Sequence, residues 1–162
     1  MSFMKKILSV LFALLLAFTV SAQSADVITD ILESEKVTFG QVCYITAVQM
    51  NLADEDVSFD DAVKVMKEHG YLLSDESSET PIPAVDIAYL YSKCWPIKGG
   101  MLFRITKGSP RYAFKQFIAD GVLDPSVDPS SFLTGTKALS FYTACVNTYS
   151  GFDMSAVSME EE

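Results

Sequence analysis

The chain has 162 residues, with 12 basic and 21 acidic side chains, a formal net charge of −9 and an apolar fraction of 49%. That length suggests one domain or two small ones, and the apolar fraction is that of a globular chain. The acidic balance argues against general nucleic-acid binding, which needs concentrated Lys and Arg. The single histidine, His69, removes most His-based metal sites and any mechanism that needs two histidines.

Residues 1–22 read as a secretory signal peptide. Lys5 and Lys6 form a positive n-region, Ile7 to Val20 is an uncharged run of 14 residues, and Val20-Ser21-Ala22 supplies a small-residue cleavage site. The alternative is an uncleaved anchor helix, although a spanning helix wants roughly 20 apolar residues. No cysteine lies near the cleavage site, so no lipid-modified N-terminus is expected, and no later segment reads as a transmembrane span. The expectation is an exported protein, periplasmic or at the cell surface. Without the leader, 10 basic and 21 acidic residues leave a net charge of −11. Export permits disulfides. The three cysteines Cys43, Cys94 and Cys145 allow one bridge and a spare thiol, or three buried apolar thiols on helices.

Residues 23–36 are expected to form a short N-terminal helix or linker, with Asp26 to Ser34 as its helical part. Thr38-Phe-Gly-Gln41 reads as a helix start, continuing to about Asn51 with Val42 and Ile45 on its inner face. Phe59 to Leu72 and Pro110 to Leu123 then match at an offset of 51: Ala62 with Ala113, Lys64 with Lys115, Gly70 with Gly121, Leu72 with Leu123. Each carries an apolar i, i+1, i+4 stripe, Ala62-Val63-Met66 and Ala113-Phe114-Phe117, which is one face of a helix. Each glycine falls where a left-handed residue terminates the helix. Thirteen residues after each glycine a second helix starts, at Pro83 running toward Trp95 and at Thr134 running toward Tyr149. Proline in a first turn and threonine as a cap are ordinary start signals. Ile87, Leu90, Tyr91 and Cys94 line one face of the former; Ala138, Phe141, Tyr142, Cys145 and Tyr149 line one face of the latter. Leu72 to Pro83 and Asp124 to Ser131 are turn-rich linkers. Residues 151–162 form an acidic tail. The expected fold is all-α: a single compact helical repeat domain over 37–150, made of two full helix pairs and one partial pair, with neighbours packing to bury faces that no unit can bury alone.

This arrangement resembles a divergent S-layer homology domain. Tyr112-Ala113 is similar to that family's aromatic-Ala pair, Gly70-Tyr71 and Gly121-Val122 to its Gly-plus-apolar signature, and Thr38, Pro83 and Thr134 fall at its second helix start. The chain also resembles small secreted spirochaete envelope proteins in its Gly99-Gly-Met-Leu102 and Pro110-Arg-Tyr-Ala113 segments. The resemblance spans roughly Thr38 to Ser150 and implies helical repeats in the cell envelope. In the family the second helix start carries a motif that binds charged cell-wall polymer. Here Phe39, Ala84 and Gly135 stand in place of its arginine, and Gln41, Asp86 and Lys137 in place of its glutamate.

The charge distribution points to a different site. No acidic residue lies between Asp86 and Asp120, whereas that interval holds Lys93, Lys98, Arg104, Lys107, Arg111 and Lys115, so the remainder of the chain after the leader carries −17. Lys98, Arg104, Lys107, Arg111 and Tyr112 are the candidate ligand-binding residues for an anion: arginine forks two donors onto carboxylate or phosphate, the amides opening the Pro110 helix add partial positive charge, and Tyr112 could stack or donate. The same cations could instead pair with the chain's own acids, Asp60 and Asp61 being natural partners. Asp54 to Asp61 lacks the alternating carboxylates and glycine of a calcium loop, Asp124 to Asp128 reads as a capping turn, and His69 as a helix-end residue. No catalytic motif, cofactor site or metal site is expected. The function expected is that of a non-enzymatic envelope protein binding an anionic cell-wall or envelope component through the basic segment. The alternative is a scaffold or assembly subunit docking another envelope protein through an exposed apolar face that includes Trp95, Met101 and Phe103.

Overall fold

A computed structural model describes residues 25–150; the expected leader and acidic tail lie outside the described residues. The described residues are all-α. The helices are α1 over 25–33, α2 Phe39–Gln49, α3 Phe59–Glu68, α4 Ala84–Tyr91, α5 Met101–Ile105, α6 Pro110–Ala119 and α7 Gly135–Tyr149. Extended pairing among the described residues is limited to two isolated bridges, Thr38 with Pro81 and Pro83 with Phe132.

Those bridges belong to a ring that ties together the starts of α2, α4 and α7. A helix leaves its first amides without intrahelical partners, and here they are satisfied by the chain preceding another helix. Phe39 N–H donates to Thr80 O at 2.9 Å, Ala84 N–H to Ser131 O at 2.8 Å, and Gly135 N–H to Ser34 O at 2.8 Å. Ile82 N–H donates to Val37 O and Val37 N–H to Leu133 O, so the residue before each cap is drawn inward. Val37, Ile82 and Leu133 are all buried. Thr38 caps α2 in a reciprocal box with Gln41, and Thr134 caps α7 by accepting from Lys137 N–H. The approach at Gly135 leaves no room for a side chain: a Cβ there would lie 1.6 Å from the Ile31 carbonyl oxygen.

The stripe read on α3 and α6 is buried at Ala62, Met66, Ala113, Phe114 and Phe117. Both helices end as their glycines predict, with Gly70 at φ +70° and Gly121 at φ +73°. Gly70 N–H bonds Lys67 O and Tyr71 N–H bonds Met66 O, while Gly121 N–H bonds Ile118 O and Val122 N–H bonds Phe117 O. These are Schellman closures that return the next apolar residue toward the core. In space α3 packs chiefly on α2, the helix before it, and α6 packs chiefly on α4, past the short α5. The end of α1 meets the start of α7 through the Ser34–Gly135 bond.

Helix α2 differs from its expected one-sided pattern: every residue from Phe39 to Ala47 is buried. It packs against both α3 and α4, so its solvent face is covered as well. Helix α4 is shorter than expected, ending at Tyr91 before a turn through Cys94. Tyr91 is fully buried and its hydroxyl donates to Ala138 O at 3.3 Å, linking α4 to α7. Its ring packs edge-on against Phe141 and Tyr142, and Phe117 packs edge-on against Phe141 at 5.0 Å. All three cysteines are free, with Cys43 and Cys145 buried and Cys94 partly so. Burial pushes the thiols of Cys43 and Cys94 up to about 12 and raises that of Cys145 further. Among the described residues, no helix is long and apolar enough to cross a membrane.

Candidate functional site

The basic interval occupies the end of α4, the loop after it, α5 and α6. Glycines at 99, 100 and 108 bracket Met101 to Ile105, which the sequence presented only as a short apolar segment and which folds into a five-residue helix. Two contacts fix it. Gly100 N–H donates to Gln116 Oε1 on α6 at 2.9 Å. Phe103 is half-buried, with its ring against the Gly99 and Gly108 backbone. The helix closes through Lys107 in the left-handed region at φ +53°, with Gly108 N–H bonded to Phe103 O at 2.8 Å.

With Phe103 turned inward, the rest of α5 faces out. Arg104 is exposed, and Met101, Leu102 and Ile105 are 74%, 54% and 69% exposed. Lys98, Lys107, Arg111 and Lys115 are exposed too, while Tyr112 is half-buried with Lys115 Nζ over its ring at 5.8 Å. Lys93 reaches the site from the turn after α4: its Nζ lies over the Tyr89 ring at 4.3 Å and 3.5 Å from the Lys107 carbonyl. Burial lowers its ammonium below the usual lysine range.

Internal pairing of these cations is not what the structure has. The ion pair among the described residues is Lys67 with Asp75, on α3 and the loop beyond it. Lys98, Arg104, Lys107, Arg111 and Lys115 have no carboxylate within 4.0 Å among the described residues. Asp60 and Asp61, the partners expected from sequence, are engaged by serines instead: Asp60 accepts from the Ser78 hydroxyl and Asp61 from the Ser58 hydroxyl. Arg104 and Arg111 therefore both face solvent, on α5 and α6.

Two sequence readings need correction. The amides opening α6 are largely taken, because Pro110 has none and those of Tyr112 and Ala113 bond the Ser109 carbonyl; that leaves Arg111 as the unused donor of the first turn. Trp95 does not belong to an exposed apolar face. It is 7% exposed and packs against Tyr142 and Tyr149, because the chain turns inward after α4. The face that is exposed consists of Met101, Leu102 and Ile105, and neither Leu102 nor Ile105 stood out by spacing.

A polar chain braces the site from behind. Gln116 Nε2 donates to Asp120 Oδ1 at 2.8 Å, and the Tyr149 hydroxyl donates to Asp120 Oδ2. Burial and the Asp120 carboxylate raise the Tyr149 hydroxyl well above its ordinary range, so it remains a donor. Together with the Gly100 bond, this chain connects the start of α5 to the end of α7.

The remaining candidates are structural. His69 Nδ1–H donates to the Val65 carbonyl at 2.8 Å, and its ring stacks on Tyr71. Asp124 and Asp128 form Asx turns with Ser126 and Ser130, at 2.7 Å each. Hydrogen bonds from Ser126 and Ser130 hold the two carboxyls below the usual range. Among the described residues, no cluster of three or more His, Cys, Asp or Glu is arranged to hold a metal ion. Comparison with protein-family models, curated proteins and solved structures returns no match for this chain.

Proposed function

We propose that the protein is an exported, non-enzymatic envelope protein that binds an anionic envelope component through the segment from Lys98 to Lys115. One observation carries the reading. A chain with 21 carboxylates leaves a run of neighbouring cations exposed and without carboxylate partners among the described residues. Lysine and arginine presented this way attract polyanions, and the acid-free interval keeps the local field positive although the whole chain is negative. The S-layer-homology likeness is part of the same proposal, resting on the helix starts at Thr38, Pro83 and Thr134. The residues at its motif positions serve the fold, Gln41 in a capping box and Gly135 against the Ile31 carbonyl, so binding is assigned to the basic segment instead.

Pull-down on isolated cell-wall and envelope fractions tests the reading. The Arg104→Ala/Arg111→Ala protein is expected to lose retention; unchanged retention would show that the site is wrong. The exposed triad Met101, Leu102 and Ile105 favours one second reading, a scaffold subunit docking another envelope protein. Retention that survives high salt would support it, because a charge-driven contact weakens as salt screens it.

A further inference from the structure

We propose that the outer face of α5 docks on an anionic phospholipid surface. Met101, Leu102 and Ile105 enter the headgroup region, and Lys98, Arg104 and Lys107 meet lipid phosphates. This rests on the reading above and names its anionic component.

Single exposed apolar side chains are ordinary, but a cluster is informative. Met101, Leu102 and Ile105 lie within five residues and are 74%, 54% and 69% exposed. Their exposure is built in: the Gly100–Gln116 bond, the inward Phe103 and the closure at Lys107 hold α5 with these side chains outward. Cations flank them on both sides, with no carboxylate from 87 to 119.

The occupant must therefore satisfy apolar tips and positive charge at once. A soluble polyanion would engage the cations and leave the tips in water. A stable protein contact needs roughly 800 Å² per side, so a protein partner would have to cover surface well beyond the three side chains of this five-residue helix. A bilayer needs no complementary shape: it takes apolar tips to shallow depth and places phosphates beside them, and long Lys and Arg stems reach those phosphates while staying in contact with acyl chains. The acidity of the rest of the chain does not forbid this, since charges farther from the surface than about 8–10 Å are largely screened.

Co-sedimentation of the full chain with vesicles tests the inference. Wild type is expected to bind vesicles of phosphatidylglycerol mixed with phosphatidylcholine and to ignore phosphatidylcholine alone. Neutralising one charge near such a surface lowers partitioning about fivefold, so Arg104→Gln/Lys107→Gln should lower it about 25-fold. Met101→Ser/Leu102→Ser/Ile105→Ser should lower vesicle binding at least tenfold, leaving binding to soluble polyphosphate unchanged. Those side chains are exposed, so the variant folds, which circular dichroism checks. If the serine variant binds vesicles like wild type, or wild type binds polyphosphate but not vesicles, the lipid inference is overturned and the polyanion reading stands. If wild type binds neither probe, or the charge variant binds both undiminished, both readings fall.

Discussion

Replacing Gly135 by alanine inverts an ordinary expectation. Alanine is the better helix former by about 1 kcal/mol, and Gly135 is the first residue of α7. Yet the added Cβ would sit 1.6 Å from the Ile31 oxygen and 2.6 Å from the Ile31 carbonyl carbon. Both are backbone atoms, so α1 and α7 must separate. The 2.8 Å bond from Gly135 N–H to Ser34 O is lost, and the neighbouring 2.9 Å bond from Val37 N–H to Leu133 O is strained. Each such bond contributes about 1 kcal/mol net, and forced overpacking costs about 1–3 kcal/mol. Less the propensity gain, Gly135→Ala should destabilise by about 2–4 kcal/mol. Urea unfolding followed by circular dichroism reads this directly: with a slope of about 2 kcal/mol per molar, the midpoint drops by about 1–2 M. Gly121→Ala is the control, because its Cβ meets open space and only the positive φ is penalised, at about 1 kcal/mol. A Gly135→Ala midpoint at or above wild type, or no lower than that of Gly121→Ala, would refute the close approach.

The remaining predictions follow from burial and charge. Unfolded thiols titrate near 9.0, whereas those of Cys43 and Cys94 are pushed up to about 12, so their contribution is complete below pH 9 and is lost as pH rises toward 12. By pH 10 each of these, and Cys145, whose thiol burial raises as well, costs about 1 kcal/mol, so urea unfolding should show the protein about 3–4 kcal/mol less stable at pH 10 than at pH 8; equal stability would contradict the burial of these thiols. Phe117→Ala should cost about 3–5 kcal/mol in the same assay, and Tyr91→Phe, which removes only the bond to Ala138 O, about 1 kcal/mol. Arg104→Ala/Arg111→Ala should change stability by less than about 0.5 kcal/mol, since neither arginine has a carboxylate partner among the described residues; a larger loss would reveal internal pairing.

Signals local in the chain were legible in the sequence. The stripe at Ala62, Val63 and Met66, the glycines that close α3 and α6, and the caps Thr38 and Thr134 are set by neighbours within four or five positions, and each marks its helix in the structure. What escaped was long-range. Nothing near α2 announces that its outward positions are covered, because the covering helices arrive from elsewhere in the chain. Gly135 looked like a lost arginine position, and only the approach of Ile31, more than 100 residues earlier, explains why no side chain fits there.

The candidate site divides along the same line. Charge is additive along a sequence, so the acid-free interval from 87 to 119 could be counted directly. Orientation is not additive. Whether Trp95 or Met101 is the exposed apolar residue depends on which way the chain turns after α4, and it turns so that Trp95 joins the Tyr142 and Tyr149 rings while α5 is pushed out. Spacing alone cannot choose an inner face for a five-residue helix, since one turn and a half offers apolar residues on every side. The choice is made by Phe103, whose ring settles against the Gly99 and Gly108 backbone. Phe103→Ala is thus the change that separates presentation from charge. It retains every cation but frees α5 to rotate, so retention on envelope fractions should fall with the basic residues intact. Retention equal to wild type would mean that the cations act without the helix that carries them.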